Sequence, residues 1–154
     1  MWRLRFVLIL FIILGLTTNF VVAHEDSTGT VKERMQLMNN LGEAMKAFSL
    51  ILRAQNNYNI ESLSSIIGKI KDHSGENLTK LFLEKSMDVT SKADPSILDS
   101  WSDFSRIASN LFNESERLER RLKSSERLNI NEVVKSFISI AKTCKNCHIQ
   151  FRRN

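Results

Sequence analysis

The chain has 154 residues and a formal net charge of +5, which is the size of one domain. Charged residues make up 25% of it, and no block of lysines and arginines alternates with aromatics; the composition therefore excludes a nucleic-acid groove. One proline and five glycines favour a helical domain.

The first segment reads as a targeting signal. Arg3 and Arg5 precede an apolar run over residues 6–16, and Val21 and Ala23 put small residues before His24. That order of charged, apolar and small residues is the pattern of a cleaved secretory signal. Thr17, Thr18 and Asn19 interrupt the run, leaving it short of the ~20 apolar residues of a membrane span. The expectation is cleavage after Ala23 and an exported domain over residues 24–154 that is not embedded in a membrane. That domain carries 20 basic and 17 acidic residues.

Four amphipathic segments follow. In the first, Val31, Met35, Met38, Met45, Phe48 and Leu52 recur at helical steps, and the pattern ends near Asn56 and Asn57. The second covers 60–71 with Leu63, Ile66, Ile67 and Ile70 inward, Glu61 in its first turn, and Ser74 and Gly75 as a stop. The pattern weakens over 76–94. Leu78, Leu81, Phe82 and Leu83 suggest one short turn, and residues 88–94 read as loop; this is the longest connection and the expected crossover between helix pairs. Asp94 and Pro95 restart order as N-cap and first helical residue. The third helix then places Ile97, Trp101, Phe104, Ala108, Leu111, Ser115, Leu118 and Leu122 on one stripe, with a charged, solvated end over 114–123. Asn129 and Glu132 announce the fourth helix, whose inward face is Val133, Val134, Phe137, Ile140, Ala141 and Cys144. Four helices and no strand pattern predict an all-α, antiparallel four-helix bundle.

The only two cysteines are Cys144 and Cys147, and His148 follows directly. Cys-x-x-Cys-His is the pattern of covalent haem attachment. Two thiols one helical turn apart can each add to a vinyl group of one haem edge, and the adjacent imidazole can then bind the iron. Three other readings compete. A Cys-x-x-Cys redox pair opens a helix after a strand, whereas this pair closes the last helix. A structural zinc site needs a fourth ligand. A disulfide here would close only a tiny loop and stabilise little. The haem reading predicts one covalently attached haem c with its iron.

At this point the chain resembles the class II c-type cytochromes, the cytochrome c prime group. The ending Thr143-Cys144-Lys145-Asn146-Cys147-His148 with Phe151-Arg152 carries the likeness most specifically. Arg34-Met35-Gln36-Leu37-Met38, Leu81-Phe82, and Pro95 to Trp101 with Ser102-Asp103 add to it. The spacing from Pro95 to Trp101 is longer than is usual in that family. The resemblance implies a bundle with haem near the C-terminal helix, His148 as axial iron ligand, and Arg34 and Arg152 near the haem. It places Met38, four residues after Arg34, where low-spin members have a methionine iron ligand and five-coordinate members a bulky non-ligating side chain. From periodicity alone Met38 reads as core, with methionine a common gap-filler; Met35 and Met45 share its stripe. With Met38 bound the protein is a six-coordinate, low-spin electron carrier of the periplasm. With Met38 in the core it is a five-coordinate protein that binds nitric oxide or carbon monoxide. No carboxylate pair or nucleophile–base pair suggests an enzyme. Lys142, Lys145, Arg152 and Arg153 crowd the motif and would steer an acidic redox partner, although cations also favour a helix C-terminus. The family often dimerises through its first two helices, so the resemblance leaves a homodimer open, although no decisive exposed apolar patch marks one.

Overall fold

The computed structural model describes residues 29–54, 59–83, 91–124 and 128–153. The expected signal segment 1–23, the first helix's stop at Asn56 and Asn57, and loop residues 88–90 lie outside the described residues. The described residues form six helices: α1 (Thr30–Arg53), α2 (Ile60–Asp72), α3 (Glu76–Thr79), α4 (Ser96–Asp99), α5 (Trp101–Lys123) and α6 (Ile130–Phe151). Among the described residues there is no strand, only an isolated antiparallel bridge between Ala93 and Arg152. The four long helices make the expected bundle.

Local chemistry sets the helix starts. Asn59 accepts a hydrogen bond from the Ser62 amide at 3.0 Å and caps α2. Asn129 and Glu132 form a reciprocal capping box at α6, satisfying two amides that lack intrahelical partners. Asp94 accepts from the Ser96 amide at 2.9 Å, as its place before Pro95 implies.

The long helices run antiparallel to their neighbours. Asn40 of α1 reaches His73 at the end of α2, 3.1 Å away. Arg121 near the end of α5 pairs with Glu132 at the start of α6, 2.8 Å away. Phe48 late in α1 meets Phe137 early in α6 edge-on, with ring centroids 5.0 Å apart. The Gly75 amide donates to the Ala108 carbonyl at 3.1 Å, so the connection after α2 turns onto the adjacent α5. The two helices that it joins, α2 and α5, are neighbours. Gly75 has φ +59°, a conformation that favours glycine, and an added Cβ would also meet Phe112 at a tight 3.3 Å.

Several side chains depart from the sequence pattern. The buried stripe of α1 is Val31, Arg34, Leu37, Leu41, Ala44 and Phe48. It is centred one residue away from the methionine stripe, because Leu37 and Leu41 are the larger apolar contribution to the core. Met38 and Met45 sit half-buried on its flank, and Met35 is 41% exposed. In the third segment the helix breaks at Ser100, with φ −111° and ψ 34°. The unusual spacing from Pro95 to Trp101 is thus taken up as a separate turn, α4. The break rotates Trp101 outward to 36% exposure while Ile97 and Phe104 stay buried. The charged end of α5 is not wholly solvated either: Glu119 is buried and accepts from Lys71 and Lys123 at 2.5 and 2.7 Å. Those two hydrogen bonds hold its carboxyl below the usual range, so the charge is kept and tied to α2.

Candidate functional site

A cavity of about 410 Å³ lies between the start of α1 and the end of α6, within the roughly 300–1,000 Å³ range of small-molecule sites. The two helices meet through Phe48 and Phe137 at the far end; here the space between them is open. Val31, Arg34, Met35, Met38 and Asn39 form the α1 wall, and Cys147, His148, Phe151 and Arg152 the α6 wall. Phe82, Ile97 and Phe104 close the base. Phe104 contacts Phe82 and Phe151 with centroids 4.9 and 5.5 Å apart, so three aromatic rings make a continuous apolar floor.

The fourth side is a strap over residues 91–93. The Asp94 amide donates to the Phe151 carbonyl and the Arg153 amide to the Lys92 carbonyl, both at 2.9 Å, fastening the strap to the end of α6. Arg34 fastens it to α1. Its Nε and Nη2 donate to the Leu81 carbonyl at 3.1 and 2.8 Å, and its Nη1 donates to Ser91 Oγ at 2.5 Å. Its guanidinium also lies 4.3 Å from the Phe82 ring centroid. The residue is buried, and its guanidinium clasps the cavity wall. Arg34→Ala removes these bonds to Leu81 and Ser91. The expected cost is ~3 kcal/mol, read as a lowered urea midpoint.

The structure brings Cys147, His148, Met38, Arg34 and Arg152 to one cavity. Cys144 does not line it. Cys144 lies one turn earlier on α6, half-buried against the core, and both cysteines are free thiols. Of the other methionines, Met35 lines the cavity and Met45, two turns farther along α1, does not. His148 is exposed. The protein around the ring removes part of its hydration, and Arg152 adds a neighbouring positive charge; both lower its pKa, which favours the neutral imidazole that can ligate a metal.

Burial raises the Cys144 thiol and pushes Cys147 up to about 11. A redox Cys-x-x-Cys pair needs a lowered thiol pKa, commonly at a helix N-terminus. Here the pair stands near a helix C-terminus and shifts the other way, which counts against that reading. Among the described residues no three His, Cys, Asp or Glu side chains gather to hold a metal. Two free thiols one turn apart, an imidazole beside them and an apolar cavity fit a covalently tethered haem. The strap and the aromatic floor were not legible as site residues, since a short loop has no periodicity and floor aromatics look like any core.

The profile of the family described as Cytochrome C' matches residues 29–152. The chain belongs to the cytochrome c′ family. Proteins of this family bind covalent haem c with its iron. A variant cytochrome c′ from Rhodopseudomonas palustris is similar in fold, with TM-score 0.71 and 20% identity over 83% of this chain and 100% of that one. Cytochrome c556 from the same organism has TM-score 0.68 and 17% identity over 83% and 98%. A nitric oxide complex of a mutant cytochrome c prime from Alcaligenes xylosoxidans has TM-score 0.70 and 15% identity over 81% and 94%. No curated protein matches the sequence. No helix among the described residues is long and apolar enough to cross a membrane.

Proposed function

We propose that the chain is a periplasmic one-electron carrier, with haem c tethered at Cys144 and Cys147, His148 as one axial ligand and Met38 as the other. The observation that carries this is that His148 of α6 and Met38 of α1 line the same cavity from facing helices. Bound haem would supply a one-electron iron couple. The chain's own groups would do the rest. Met38 offers a flexible, soft thioether, and methionine opposite histidine is an established pairing that raises the reduction potential. Phe82, Phe104 and Phe151 exclude water from the floor. Arg34, bound to the strap, holds the cavity's shape. Arg152 borders the opening and adds positive charge there.

Export is part of the proposal. The segment before His24 fits a cleaved signal, so the N-terminus of the secreted form should be His24 by mass spectrometry; an intact segment 1–23 on membrane-bound protein would contradict it. A homodimer is compatible with the family, one of whose similar structures is described as having ligand-controlled dimer dissociation.

A second reading has one observation in its favour. Met38 packs half-buried against the core, as a gap-filling methionine would, leaving the iron five-coordinate and open to nitric oxide or carbon monoxide. Absorption spectra of the pure ferric and ferrous protein separate the two. Low-spin spectra in both states support electron transfer with Met38 bound; high-spin spectra support the gas-binding reading.

A further inference from the structure

The positive charge of the domain is concentrated on its last helix. Residues 130–153 contain five basic residues and one acid, Glu132, whereas residues 24–129 contain 15 basic and 16 acidic ones. Glu132 is engaged by Arg121 at 2.8 Å. Among the described residues, none of the five cations forms a salt bridge.

These charges are organised. Lys135, Ile138, Lys142, Lys145 and Ile149 follow one another at steps of three and four, so they share one face of α6. All five are exposed. Ile138 and Ile149 are 58% and 70% exposed, unusually open for isoleucine, and lie about 16 Å apart along the helix at 1.5 Å per residue. Arg152 and Arg153 extend the charge past the motif. Helix-dipole compensation explains cations only in the last turn; Lys135 and Lys142 lie outside it, and the dipole does not account for the isoleucines.

We propose that this face of α6 is the docking surface for an acidic electron-transfer protein, with the lysines steering it and the two isoleucines making the dry contact. The inference rests on the electron-carrier reading and names the partner chemistry of that site. A basic, acid-free stripe calls for a negative partner. A second copy of this chain across a two-fold axis would oppose cation to cation. A bilayer surface is less suited, because the face has no aromatic residue to anchor in the headgroup region. The stripe also runs onto Lys145, between the two cysteines, so a partner on it would sit beside the attachment motif.

The test uses the mature, haem-loaded protein and a small acidic flavodoxin, reduced, as the probe, in stopped-flow mixing. Haem content and spectrum are read on the same samples, so a protein without haem, which fails the functional reading, is distinguished from a protein that does not dock. Binding is followed separately by amide shifts on titration with oxidised flavodoxin. The rate should fall at least about tenfold from low to physiological salt. Lys135→Glu with Lys142→Glu should slow it about tenfold at low salt and flatten the salt dependence, with the spectrum unchanged. Ile138→Ser with Ile149→Ser should slow it at every salt concentration without changing the slope. Amide shifts should fall on residues 135–149. Salt-independent rates, a charge-reversed variant as fast as the unsubstituted protein, or amide shifts elsewhere would overturn the proposal. So would phosphatidylglycerol vesicles that bind the protein through the same lysines while the flavodoxin rate is unaffected by their reversal.

Discussion

Replacing Cys144 and Cys147 together by alanine is expected to abolish covalent haem staining on denaturing gels. The two thiols are the only ones in the chain, so no other side chain can replace either thioether. They stand one turn apart on α6, and both are free. Burial raises both thiols above the ordinary cysteine value. Either single substitution leaves one tether, so staining should weaken without vanishing. Full staining of the double variant would show that attachment, if any, uses other chemistry.

Met38→Leu should convert the ferric spectrum from low-spin to high-spin and let the reduced protein bind carbon monoxide. Leucine has nearly the volume of methionine, and the exchange should cost less than ~1.5 kcal/mol in packing, so the bundle survives. What is lost is the sulfur, and with it the weak red absorption band of sulfur-to-iron charge transfer. Met35→Leu is the control. That side chain lines the same cavity but is 41% exposed, and its removal should leave the spectrum low-spin. If the unsubstituted protein is already high-spin, or Met38→Leu changes nothing, Met38 is a core residue and the gas-binding reading takes its place.

The bundle was legible because its signals are local and repeated. Helical steps of apolar residues, the Asn129 and Glu132 capping box, and Asp94 before Pro95 each correspond to a feature of the fold. What failed was the rotation of individual helices. Counting methionines as the inward stripe of α1 misses Leu37 and Leu41, which win the core, and Arg34, which is buried on the same stripe. Trp101 kept perfect helical spacing from Ile97 in sequence, yet a backbone break at Ser100 turned it outward. No composition signal marks such a break. The site divides in the same way. Cys144, Cys147 and His148 are contiguous and carry their own pattern. Met38, Arg34 and Arg152 come from the family resemblance, and with His148 they line one cavity. The strap is built by backbone hydrogen bonds and by Arg34, across 47 and 57 residues to Leu81 and Ser91, and contacts at that separation leave no local trace.

The covalent bond between protein and haem is measured by mass spectrometry of a proteolytic fragment spanning residues 144–148, from protein matured in cells that attach haem c. The expected fragment is heavier by one haem, with both cysteines unavailable to alkylation. A fragment at its unmodified mass with two alkylated cysteines, and haem that extracts into acid–acetone, would contradict covalent attachment.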